Sequence, residues 1–146
     1  MMTPVDPDEY MGSDVIAALQ KLRPFVDLIE YHKIEDDEFL KLPELGISFH
    51  ARRNSKLSDV RIYLVGRDEF YAAKDSIVNK YFISRKIDDA VVELGEVYRD
   101  IPSIKIPGAR QTLPGRAFVK NGCALTLYYD EHGEIVSVVV RPHVSS

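Results

Sequence analysis

The stretch Ala117-Phe118-Val119-Lys120, Asn121-Gly122, Ala124-Leu125-Thr126-Leu127-Tyr128-Tyr129, Asp130-Glu131-His132-Gly133 and Ile135-Val136-Ser137-Val138-Val139-Val140 decides the fold class. Three apolar runs of strand length are divided by two turn signals. Asn121-Gly122 suits a two-residue hairpin because both central positions tolerate positive φ. The spacing therefore predicts an antiparallel meander in which alternate residues share a face. Leu125, Leu127, Val136, Val138 and Val140 are the expected core side, joined by Ile62, Leu64, Val91 and Leu94.

Upstream, the same period of two recurs. Glu38–Leu42, Ile47–Ala51 and Val60–Val65 alternate, and Pro43-Glu44-Leu45-Gly46 and Arg53-Asn54-Ser55-Lys56 read as turns between them. The run 25–32 fits helix or strand, with strand favoured from Leu28. Strands 58–65, 124–129 and 134–141 are expected in one antiparallel sheet. Helical spacing appears twice. Over 14–22, Val15, Ile16, Leu19 and Leu22 fall on one face behind a Ser13 cap, and over 85–94 Ile87, Val91 and Leu94 do so behind Ser84, with Gly95 closing the helix. The proline-rich region 98–115 reads as a long connection, with a strand at Ile104-Lys105-Ile106. Residues 1–12 read as a flexible lead, and 13–146 as one α+β domain with a mainly antiparallel sheet and two short helices. No internal repeat is visible.

The chain has 146 residues, 45% hydrophobic and 29% charged, with a net charge of −4. This is globular composition, and the acidic balance argues against a dedicated nucleic-acid binder, which needs a lysine and arginine surplus. The acidic, proline-broken start is unlike a signal peptide, and no apolar run approaches the roughly 18–20 residues of a membrane span. The expected location is the cytoplasm. A lone Cys123 and histidines scattered at 32, 50, 132 and 143 lack metal-ligand spacing. Glycine-rich phosphate loops and nucleophile motifs are missing. No metal, cofactor or catalytic residue is expected.

Charge is unevenly distributed. Residues 1–46 hold eleven acids against four bases, whereas residues 47–146 hold twelve acids against fifteen bases. The densest block, Glu35, Asp36, Asp37 and Glu38, is the candidate partner-binding patch, because a field of one sign speeds association with an oppositely charged surface. Lys105, Arg110, Arg116 and Lys120 read as a solvated basic rim.

The order of these segments resembles that of small cytoplasmic immunity proteins of bacterial polymorphic toxin systems (contact-dependent inhibition, secretion-system effectors, bacteriocins). The resemblance runs over about 13–141: helix 14–22, the strands ending in Leu42-Pro43-Glu44-Leu45-Gly46-Ile47-Ser48-Phe49, the strand 57–64, the segment Ile87–Glu96, and Leu125–Ile135 leading into the last strand. It implies a non-catalytic protein that binds one cognate toxin domain and blocks it. The alternative is a ligand-binding or adaptor module. Glu93-Leu94-Gly95-Glu96 also resembles the short helix of outer-membrane-assembly lipoproteins and the beta-lactamase-inhibitor-like fold, but no lipobox cysteine is present and Val97 stands where proline is usual.

Overall fold

The computed structural model describes residues 5–105, 107–108 and 111–142. Eight antiparallel strands form one sheet: β1 (Glu30–Ile34), β2 (Asp37–Leu42), β3 (Ile47–Ala51), β4 (Leu57–Tyr63), β5 (Arg99–Ile101), β6 (Gly115–Lys120), β7 (Cys123–Tyr129) and β8 (Ile135–Pro142). Their spatial order is β1-β2-β3-β4-β8-β7-β6-β5. Two four-stranded meanders are thus joined along their last strands, with Arg61 opposite Val139 and Ile62 opposite Val138 at the seam. The fold is α+β, as the alternating segments predict.

Helix α1 (Val15–Leu22) precedes the first meander and α3 (Ile87–Leu94) the second, while α2 (Asp75–Val78) is a single turn between them. The helix-plus-four-strands order therefore occurs twice, although the sequence carries no visible repeat. Packing needs only apolar residues at the right period, and different side chains meet that need. Helix α1 lies over β2 and α3 over β6, on the same side of the sheet. Their buried faces, Val15, Ala18, Leu22, Ile87 and Ala90, close over Leu40, Leu42, Ile47, Phe49, Ile62, Phe118, Leu125, Leu127 and Val138. Ile16, expected on the buried face, is 46% exposed, and Ala18 takes the place toward the sheet. Leu64, Val91 and Leu94 pack at the core margin, only partly buried.

The helix caps differ from expectation. Asp14, not Ser13, caps α1: its Oδ2 accepts from the amides of Ile16 (3.0 Å) and Ala17 (3.2 Å). Ser13 instead accepts from the amide of Leu57 through its carbonyl. Ser84 does not cap α3. The Glu93 carboxylate reaches back and accepts from the Ile83 and Ser84 amides and the Ser84 hydroxyl. Burial alone would raise the Glu93 pKa, and these hydrogen bonds overcome it, so the carboxyl lies below its ordinary range.

Residues 5–12, within the stretch read as a flexible lead, make packing contacts with the domain. Val5 and Tyr10 are buried, Tyr10 meets the Phe49 ring at 5.8 Å, and the Gly12 amide donates to the Leu57 carbonyl. Two apolar side chains offset the entropy of ordering the segment. The strand expected at 104–106 is displaced to Arg99–Ile101, because Pro102 has no N–H to continue the ladder. Ile104 pairs with Thr112 across a loop instead, and Ile106 lies outside the described residues.

A bulge between Tyr128 and Tyr129 alters the phase of β8. Ile135 joins the core, while Val136, expected there, is buried on the opposite side of the sheet beside Ser137. One extra residue on a strand reverses which side chain points inward.

Candidate functional site

Both helices occupy one side of the sheet, so the other side presents the outward residues of its central strands. Register brings Phe39, His50, Asp59, Arg61, Tyr128, Ser137, Val139 and Arg141 onto this face. Two connected arrangements are built there.

The first is a polar row across four strands. His50 places Nε2 2.9 Å from Asp37 Oδ1 and Nδ1 3.2 Å from Asp59 Oδ2. Arg141 Nη2 donates to the same Asp59 oxygen at 3.3 Å, as does the Ser58 hydroxyl. Asp59 is only 6% exposed, so these donors replace the water its charge has lost. Phe39 stacks on the imidazole, with centroids 4.9 Å apart. Asp37, His50 and Asp59 form a line through the ring rather than converging on a point. Among the described residues no three His, Cys, Asp or Glu side chains are grouped to hold a metal ion.

The second is a cavity of about 440 Å³ at the β4–β8–β7 seam. Its floor is Arg61, Tyr128 and Ser137, and its outer wall is the apolar Ile101, Ile104 and Leu113. Arg61 gives one N–H to Ser137 Oγ at 3.0 Å and lies 4.9 Å over the Tyr128 ring. Neither contact neutralises its charge. Tyr63 stacks on Phe70 at 4.4 Å along the rim, and burial raises its phenol pKa. A smaller groove of about 250 Å³ shares Arg61 and Tyr128 and continues to His50, Arg52 and Arg141.

The four acids singled out in the sequence do not form one patch. Glu35 is exposed in the β1–β2 turn with φ of 55°. Asp36 pairs with Arg53 at 3.4 Å on the surface. Asp37 joins the row on the bare face, and Glu38, one residue on, points to the opposite side and is buried. Its carboxylate accepts from the Tyr31 hydroxyl at 2.6 Å and from the Ser55 hydroxyl. Strand alternation splits the run. Of the basic rim, Arg116 pairs with Asp100 and Lys120 approaches Glu93, while Arg110 lies outside the described residues.

The alternation of Ile47–Ala51 puts His50 in a strand, but the sequence reading does not find the row or the cavity. The available signal is the set of polar residues at alternate strand positions, His50, Asp59, Arg61, Ser137 and Arg141. Their convergence depends on pairings up to 82 residues apart. Cys123 is partly buried at the start of β7, and burial, followed by the charge of Asp8, raises its thiol pKa.

No protein-family model and no curated protein matches the chain. Among solved structures, the chain is similar to an extracellular protein containing a SCP domain from Bacillus anthracis, at 17% identity and a TM-score of 0.56, covering 94% of this chain and 45% of that one. A cysteine-rich secretory protein from Staphylococcus aureus follows at 10% identity and a TM-score of 0.46, covering 96% and 47%. The chain spans less than half the length of either protein. At 17% identity the first likeness shows a shared fold alone.

Proposed function

We propose that the chain is a non-catalytic protein-binding module of the immunity type, which neutralises a cognate cytoplasm-acting toxin domain by occupying it. The observation that supports this reading is the helix-free side of the sheet among the described residues. It carries arginine, tyrosine and histidine side chains already held in place by Ser137, Asp37 and Asp59. Pre-positioned arginine and tyrosine on a rigid element are the residue types that dominate protein interfaces, and ordering them beforehand lowers the entropy cost of association.

The direct test is co-expression with candidate toxin domains from neighbouring genes. Growth should be restored, and the two chains should elute together with nanomolar or tighter affinity. Unrestored growth together with separate elution would remove the immunity reading.

A second reading, ligand binding, rests on the cavity at Arg61 and Tyr128, whose volume of about 440 Å³ falls in the range of small-molecule sites. A ligand that raises the melting temperature of wild-type protein but not of Tyr128→Ala would favour it.

A further inference from the structure

Resting on the reading of the chain as a protein-binding module, we propose that its contact surface is the bare sheet face at Arg61 and Tyr128, and that the partner segment seated there is acidic, with an apolar or aromatic side chain beside its carboxylates. Arg52, Arg61, Arg67 and Arg141 border the cavity and the adjoining groove, against the carboxylates of Asp59 and Asp68. This local excess of positive charge sits on a chain whose net charge is −4. The excess is available to a partner. Among the described residues Arg61 is engaged by a neutral hydroxyl and a ring, Arg67 pairs with Asp68 at 3.6 Å, the Arg141 side chain is 53% exposed while it holds Asp59, and Arg52 is exposed.

The cavity selects the second half of the description. Ile101, Ile104 and Leu113 give it an apolar wall, and Tyr63 and Tyr128 line it as well. An inserted apolar side chain would cover that wall while a neighbouring carboxylate meets the Arg61 guanidinium, whose fork matches a carboxylate. Burial next to an aromatic ring strengthens such a pair relative to one at a rim. Nucleic acid fits less well, because Asp59 and Asp68 interrupt the arginines and would repel a continuous phosphate track. The arrangement also reverses the polarity read from the acidic block, whose Glu38 is buried and whose Asp37 is joined to His50.

The test uses ¹⁵N-labelled full-length protein titrated at low salt with a synthetic peptide alternating Glu or Asp with Phe and Leu. The controls are the same peptide with Lys at the acidic positions and a ten-nucleotide oligothymidine. Amide signals of Arg61, Thr126, Tyr128 and Ser137 should move with the acidic peptide alone. Arg61→Glu should weaken binding at least tenfold. Arg52→Glu, an exposed change that leaves the Arg61–Ser137–Tyr128 contacts in place, should weaken it severalfold, with unchanged circular dichroism in both variants. Equal response to the lysine peptide, tighter binding of the oligonucleotide, or shifts confined to another surface would overturn the proposal. Growth rescue by the cognate pair that survives Arg61→Glu at undiminished affinity would overturn it too, while sparing the immunity reading. Acidic-peptide binding with neither growth rescue nor co-elution would keep the contact face and remove the immunity reading instead.

Discussion

Tyr31 and Ser55 both donate to the buried carboxylate of Glu38 and so tie the β1–β2 hairpin to the turn before β4. The two hydrogen bonds favour the charged form, Ser55 first and Tyr31 second, and outweigh the opposing effect of desolvation, so the pKa lies below the usual glutamate value. A depressed folded-state pKa contributes stability above the unfolded value, about 4.3, and that stability is lost as pH falls through the folded value. Glu38→Gln should therefore cost about 1–2 kcal/mol at pH 7 in urea unfolding. The gap to wild type should narrow below pH 4, and a gap independent of pH would contradict the assignment. Replacing all four acids Glu35–Glu38 would disturb this anchor as well as the surface. Glu35→Ser with Asp36→Asn is the clean probe of whether the exposed part of the block steers a partner.

Among the elements, α1 separates local preference from tertiary placement. Ser13 and Asp14 both suit an N-cap by residue type. The choice is made by the chain outside the helix, since the Ser13 carbonyl is taken by the Leu57 amide and the Val15 amide donates to the Ser55 carbonyl. These contacts place residue 14 in extended conformation with φ of −60° and ψ of 139°, one residue before the first helical turn. Asp14→Ala should cost about 1 kcal/mol, and Ser13→Ala should stay within about 0.5 kcal/mol of wild type. Comparing the two variants by chemical denaturation tests the placement, and equal losses would refute it.

At the scale of the whole molecule, β4 and β8 carry the continuity of the sheet, with Ile62 and Val138 fully buried opposite each other at the seam. The two helix-plus-meander halves share one core cluster, which contains residues from both. Ile62→Ala should cost about 2–5 kcal/mol. The loss should appear as a single transition, with tyrosine fluorescence and far-ultraviolet circular dichroism coinciding. Separate transitions for the two halves would show that the seam does not couple them.

What the amino-acid sequence determines by itself is the set of elements and their periods. The hairpin at Asn121-Gly122, where both residues have positive φ, the alternation in β3, in β7 and over Val138–Val140 of β8, and the helix ending at Gly95 follow from local sterics and burial. The α+β class follows from those. What only the tertiary structure decides is which strands adjoin. The β4–β8 pairing places Arg61 beside Ser137, 76 residues away, and Arg141 beside Asp59. Among the described residues the helices lie on one side of the sheet, and alternation within β2 splits Asp37 from Glu38. Local propensity acts over a few residues, whereas side chains on adjacent strands are brought together by register, and register is set by how the entire apolar face is buried.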